Sequence, residues 1–526
     1  MHRFSKVTLT AVLAVVSLGS MVLAQTDRGT STVSEYFDLL VSGNIESAGY
    51  LFTEAVQERA ARFGIEYEHI PVKADCNSPV VRDIERMRDY LRPPVKQVID
   101  LADSGYSRLE YSAVIGRKLV THYYYAQQMG EYWWLTTSQD IVSRDWDIVE
   151  SDYLRIHYPP KQKPYLNAAT ISEADRYLLQ AAQDLGLDQA FVDEMKEKKI
   201  EYYFCDSDST VELIGGHRVH GFLDLPTNDI ISASFPHYHE LVHLLINAKL
   251  KRLPIYTLPL LREGAAVCYG GRWGKSPEVL FDLGVFLYQQ DIVQLDSILT
   301  DYDFRNSSSA DIAYPLAGLL VDYLDSKLDQ DALFGLYRRF SNSPDSIAAV
   351  TANQVKGALS FATESEDWET FIAGFESYIE ERVTNGLTAT PGLAPNGKDI
   401  FSEKNCSVSL SDEYISFSCR LGDKGDKTGS FLWSKNEELA SGSSPLFEEQ
   451  TTGSEFEGFR YAVRFDRNEA GLYDYSSNRL LAKYIWGLSP SDDYFDESTS
   501  TVRFSIRKDI LKGSLPEKNE IKFQLY

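Results

Sequence analysis

The stretch SFPHYHELVHLLINAK, residues 234–249, sets two histidines and a glutamate inside an otherwise apolar run. His239, Glu240, His243 and Asn247 fall at i, i+1, i+4 and i+8, one stripe of a 3.6-residue helix. Between them Leu241, Val242, Leu244, Leu245 and Ile246 are hydrocarbon. An imidazole or carboxylate buried without a partner costs several kcal/mol, so the stripe implies partners, and a metal ion would supply them.

A third ligand is the natural test of that reading, because HExxH on a helix aims two imidazoles at one point and leaves coordination positions to be filled. Glu263, in LPLLREGAAVCYGG (258–271), follows His243 with nineteen residues between them and opens a helical EGAA run. His217, His220 and His237 crowd the same region; as structural or substrate-contacting side chains they leave the fourth position open, whereas a fourth protein ligand would close it. Asn247 either orients His243 or caps the polar stripe. Arg262 is expected to pair with a neighbouring acid, and Cys268 to be an inert core thiol.

HELVH (239–243) and REGAAV (262–267) together resemble the gluzincin metallopeptidases, the peptidase-MA-like group that includes thermolysin and the aminopeptidase N relatives. AYPLAGLLVDYLDSKLDQDALFGLYRRF (313–340) is similar to the helix of that family that begins with a tyrosine. The resemblance spans roughly residues 150–380 and implies Zn²⁺ as cofactor, held by His239, His243 and Glu263. It makes Glu240 the general base towards a zinc-activated water and Tyr314 the donor to the developing oxyanion. Tyr314 stands before Pro315, so it also reads as a core residue at a helix start. Two departures bound the likeness: GGHRVHGF (215–222) replaces the GxMEN-type segment of the aminopeptidases, and Val267 stands where thermolysin-type sites have an aspartate.

The flanking sequence has other textures. MHRFSK followed by VTLTAVLAVVSLGSMVLA reads as a signal peptide over 1–24, cleaved after Ala24, with an uncleaved membrane anchor as the alternative. The protein is then expected to be secreted or periplasmic, without stable membrane insertion after cleavage. Residues 31–145 run from a helical VSEYFDLLVSGNIESAGYLF, with Val33, Phe37, Leu40 and Val41 on one face, to an aromatic hairpin, RKLVTHYYYAQQMGEYWWLTT. That layout loosely resembles the nuclear-transport-factor-like cone fold. Tyr132, Trp133 and Trp134 belong to a sheet core or line a ligand groove. From about residue 146 strands and helices alternate: DYLRIHY and IEYYFCD as strands, ISEADRYLLQAAQDLG as a helix, and IGGHRVHGFLDLPTNDIISAS as a turn plus one strand.

TNGLTATPGLAPNGKD (384–399) reads as a linker, and the short alternating runs beyond it as an all-β sandwich with a weak similarity to carbohydrate-binding modules. CSVSLSDEYISFSC places Cys406 opposite Cys419 across a hairpin, as a disulfide or as two reduced thiols. The expected architecture is multidomain α+β: an N-terminal α+β cone-like domain over 31–145, a central zincin-like α+β metallopeptidase domain over 146–385, and a C-terminal all-β sandwich over 386–526.

Acids outnumber bases 77 to 52 in the 526 residues, a net charge of −25, which argues against a nucleic-acid partner. The expected partner is a peptide or protein substrate, with a glycan or protein ligand for the C-terminal domain. A non-catalytic zincin scaffold acting as a surface adaptor is the rival reading, and hydrolysis of a non-peptide ester or amide a third.

Overall fold

The computed structural model describes residues 28–82, 84, 97–100, 105–115, 118–306, 309–403, 405–422, 428–435, 458–485, 493–511, 515–517 and 520–525. The expected targeting segment, 1–24, lies outside them. The fold is mixed α+β with several sheets. The chain gathers into two compact units: Met1–Trp146 with Ser209–Arg218 and Asp224–Asp229, and Asp147–Asp208 with Val219–Leu223 and Ile230–Tyr526.

In the first unit, helix α1 (Thr30–Ser42) buries Val33, Tyr36, Phe37 and Leu40, the i, i+3, i+4, i+7 stripe of an amphipathic helix. These side chains join one apolar cluster with Leu109, Tyr111 and Tyr124. The last three come from an antiparallel sheet, β1 (Gln97–Asp100), β2 (Tyr106–Ile115), β3 (Lys118–Met129) and β4 (Tyr132–Thr136), in that order. The aromatic hairpin closes at Gly130, whose φ of 68° suits glycine. Trp133 packs on the apolar cluster and Tyr132 is exposed.

The second unit holds a sheet built from β5 (Asp147–Glu150), β6 (Leu154–Tyr158), β7 (Ile200–Phe204), β8 (Gly221–Asp224) and β9 (Asp229–Ser232), in the order β5-β6-β7-β9-β8. Strands β6, β7 and β9 are parallel. The segment 214–234 forms two strands rather than one, because LPTN turns the chain: Asn228 takes φ 59° and its amide bonds to the Asp224 carbonyl. Strand β8 therefore lies at the sheet edge.

Helix α2 (Ala168–Asp184) precedes the HELVH helix, α3 (Tyr238–Leu250), in which every residue but His243 and Lys249 is buried. A helix apolar all round is a core helix, and α3 is one. Next come α4 (Pro259–Gly270), α5 (Pro277–Gln289) and α6 (Ala310–Lys327). Tyr314 is not a helix start. The amides of Ile312 and Ala313 already bond to the Ser309 carbonyl, so α6 begins a turn earlier and Pro315 lies inside it.

Beyond α6, residues 384–399 are not a bare linker. Ala389–Pro391 (β10) extends along Thr501–Arg507, because the extended backbone before Pro391 can pair on a sheet edge. The remaining strands are β11 (Lys398–Glu403), β12 (Cys406–Leu410), β13 (Tyr414–Arg420), β14 (Gly429–Lys435), β15 (Phe459–Phe465), β16 (Glu469–Asp474), β17 (Arg479–Ile485), β18 (Phe495–Asp496), β19 (Thr501–Arg507) and β20 (Lys522–Leu525). They make two antiparallel sheets, β10-β19-β13-β12-β11 with β18 beside β19, and β17-β16-β15-β14-β20. Both sheets contribute to one apolar cluster that includes Val408, Phe417, Phe431, Trp433, Val463 and Phe504. Cys406 and Cys419 are register partners and form a disulfide, while Cys76, Cys205 and Cys268 are free thiols. Burial pushes the Cys268 thiol well up, with Asp322 and Asp325 adding to the effect, which makes it a poor nucleophile.

Glycines set how closely the site helices approach. A Cβ on Gly264 of α4 would stand 2.7 Å from the Ala317 carbonyl oxygen of α6, and one on Gly318 would stand 2.3 Å from a methyl of Val267. This contact holds α4 and α6 together near the ends that carry Glu263 and Tyr314. Alanine in a helix interior gains up to ~1 kcal/mol over glycine, whereas overpacking against a rigid backbone costs ~1–3 kcal/mol. Gly264→Ala is therefore expected to lower stability in urea denaturation, by on the order of 1 kcal/mol. Gly335→Ala, on an exposed helix position with nothing within 4 Å of the added methyl, should raise it.

Candidate metal centre

Helix α3 projects His239 and His243 to one side with their rings 4.8 Å apart, edge to face. Ligand atoms of His239, Glu240 and His243 all lie within 4.8 Å of one another. Glu263 arrives from α4: its Oε2 stands 3.1 Å from His239 Nε2 and 3.5 Å from His243 Nε2. His239, Glu240 and Glu263 are buried and His243 nearly so. The three residues expected as metal ligands are thus brought together by two successive helices.

The protonation of this cluster follows from its hydrogen bonds. His239 Nδ1 lies 3.0 Å from the Gly271 carbonyl, an acceptor only, so the ring proton sits on Nδ1 and Nε2 presents a lone pair. Burial lowers the His239 pKa, helped by Arg272 and His243 against the opposing hydrogen bond of Glu263, so the neutral ring is favoured. Burial alone would raise the Glu263 pKa. Arg262 outweighs it, aided by both imidazoles, and holds the carboxyl well below the usual range. Arg262 bonds Glu263 Oε1 at 2.7 and 2.9 Å, pairing with the adjacent acid and leaving Oε2 to face the imidazoles.

His239 Nε2 and Glu263 Oε2 face each other at 3.1 Å, and His243 Nε2 stands 3.5 Å from the same oxygen. Two imidazoles and one carboxylate converging in this way are a donor set of the kind that can hold a metal ion, zinc among them. A guanidinium lies close by. Arg272 Nη1 is 2.8 Å from His239 Nε2 and 3.6 Å from Glu263 Oε2, and its Cζ lies 3.7 Å from the centre of the Tyr314 ring. Arg272 comes from the loop after α4, where Gly271 takes φ 73° and a Cβ would stand 2.1 Å from the Lys275 carbonyl oxygen.

Of the other expected residues, Glu240, Tyr314, His220 and His237 belong to the second unit with the cluster. One oxygen of Glu240 accepts the amide of Leu223, on edge strand β8, at 3.0 Å. The Tyr314 ring lies 6.2 Å from that of His239, and burial, with Glu263 next, pushes its phenol up to about 12. His237 bonds Ser232 Oγ at 2.9 Å, and His220 bonds Asp208 at 2.9 Å. His217 lies in the first unit, beside the Gly215 carbonyl, and none of these three joins the donor cluster.

Sequence reasoning did not single out Arg272, the Gly271 carbonyl or the Leu223 amide. The glycine pair before Arg272 is the signal nearest to hand, since a chain reversal there turns the next residue back on the preceding helix. No family model, curated protein or solved structure matches this chain.

A positive charge near the donor atoms competes with an entering divalent ion, since unit charges ~4 Å apart interact by a few kcal/mol at the effective dielectric of a protein site. Arg272→Met is expected to tighten Zn²⁺ binding at least about tenfold in isothermal titration and to lower the melting temperature of the chelator-treated protein. Equal or weaker affinity would show that the guanidinium does not compete.

Proposed function

We propose that this chain is a zinc-dependent metallopeptidase of the gluzincin type, secreted or periplasmic, acting on peptide bonds. The observation that carries the reading is the convergence of His239 Nε2 and His243 Nε2 on Glu263 Oε2, at 3.1 and 3.5 Å, beside the buried Glu240. In this reading the first unit is a cone-like domain, the β5–β9 sheet and its helices a zincin-like core, and the two C-terminal sheets a β-sandwich. The Cys406–Cys419 disulfide supports an oxidising compartment.

Zinc held by His239, His243 and Glu263 would supply Lewis acidity and a water of lowered pKa. The chain's own groups do the rest. Glu240 Oε2 is anchored by the Leu223 amide, which leaves Oε1 to accept a proton from the attacking water and pass it to the departing amine. Tyr314 keeps its phenolic proton at neutral pH, so it can donate to the oxyanion as charge develops there. Arg262 holds the far oxygen of Glu263 and so fixes which oxygen faces the imidazoles.

Metal analysis and a peptide-library digest test the proposal together. The purified protein is expected to carry one zinc per chain and to cut peptides. Glu240→Gln should keep the zinc while turnover falls by about 10²–10⁴, the usual worth of a general base. Tyr314→Phe should lower kcat by about 10², with KM little changed. An adaptor would bind its partner unchanged in the Glu240→Gln variant. Cleavage of esters but not of peptides would leave the zinc chemistry standing and move the substrate class.

A further inference from the structure

Next to the imidazole pair lies a pocket of about 250 Å³ that shares His239 and Glu240 with the candidate metal centre but is not lined by His243 or Glu263. It opens at the N-terminal end of α3, and Glu240 forms part of its wall. The charged side chains that line it are Arg272, Lys275, Arg479 and Glu240, with His220, His237 and His239 beside them. Three cations against one carboxylate give the lining a formal +2, in a chain that carries −25 overall.

The lining is built, not incidental. The loop after α4 is tied to β17 by two backbone hydrogen bonds, Leu480 N to Gly274 O at 2.8 Å and Ser276 N to Leu480 O at 2.9 Å. This ladder joins the two segments that carry Arg272, Lys275 and Arg479. Arg479 donates to the Gly270 carbonyl and lies 3.9 Å over the Tyr238 ring. Among the described residues no carboxylate lies within ion-pair distance of it. Arg272 Nε is buried without a hydrogen-bond partner. The amides of the first turn of α3 add the positive end of a helix dipole. A confined cationic pocket in an acidic protein focuses potential onto an anion.

We propose that this pocket is a carboxylate subsite, which receives an acidic side chain or a free C-terminus of the peptide beside the bond to be cut. The proposal rests on the peptidase reading for the word peptide and on the pocket alone for the carboxylate. Its volume suits the few carbons of a glutamate side chain or a terminal residue. A neutral amide of the same shape forfeits the charge that Arg479 and Lys275 supply.

The test is a set of calorimetric titrations of the full chain, with excess chelator and again with zinc, so that carboxylate binding to the metal itself is separated out. The probes are N-acetyl-glutamic acid α-amide, its glutamine counterpart, and N-acetyl-alanine with its carboxyl group free. At least one carboxylate probe is expected to bind about tenfold or more tightly than the glutamine amide in both conditions, and to weaken as salt is raised. The glutamic acid α-amide winning identifies a side-chain subsite, and N-acetyl-alanine a C-terminal one. Arg479→Gln should reduce the preference to within about twofold. Because Arg479 also packs on Tyr238, Lys275→Glu is the second variant; it takes the lining from +2 to 0 and should do the same. Equal affinities, no detectable binding of any probe, or a preference that survives both folded variants overturns the proposal. A carboxylate preference in a protein that cuts no peptide would sink the peptidase reading and leave the pocket; cleavage indifferent to acidic residues, with no probe preference, would do the reverse.

Discussion

Everything at the site depends on one electrostatic constraint: His239 Nε2 and Glu263 Oε2 are held 3.1 Å apart in a buried place, with His243 close by. A buried carboxylate needs positive charge or hydrogen-bond donors beside it. The Gly271 carbonyl claims the imidazole proton, and Arg262 keeps the carboxylate ionised. The fold spends packing precision on maintaining this contact. Gly264 and Gly318 bring α4 and α6 to backbone contact, while α3 is clamped on nearly every face by hydrocarbon.

The same constraint explains why a guanidinium sits where it does. Arg272 satisfies the His239 lone pair, approaches Glu263 and covers the Tyr314 ring, so three otherwise unrelated groups share one cation. It reaches them because Gly271 reverses the chain right after α4. The residue that carries the compensating charge and the carbonyl that sets the imidazole tautomer are therefore neighbours in sequence. One turn controls both the proton and the charge balance of His239.

What was legible in the sequence was whatever a single helix dictates. His239, Glu240 and His243 share a face by covalent spacing alone, and their apolar neighbours forecast burial. Glu263 was reachable because two imidazoles on one stripe ask for a third ligand and REGAAV resembles the second gluzincin segment; it lies within α4, not at its opening. The two hairpins, 118–136 and 406–419, followed from period-2 alternation around polar turns. What was hidden depends on chain reversals and long-range pairing. Pro315 reads as a first-turn proline, yet α6 begins a turn earlier, at the Ser309 carbonyl. The 384–399 stretch looked like a linker since its Pro and Gly content says nothing about the edge of β19 waiting some 110 residues on. Arg272 was invisible because nothing local distinguishes an arginine turned inward from one in solvent.

The C-terminal sheets are tied directly into this architecture. Strand β17 hydrogen-bonds the loop that carries Arg272, and Asn478 donates to the Phe235 carbonyl just before α3. Through β17, a strand more than two hundred residues downstream pairs its backbone with the loop that carries Arg272. The β16–β17 turn and the segments around α3 and Arg272 are joined by hydrogen bonds, which makes the C-terminal sheets part of the site's framework rather than an appendage to it.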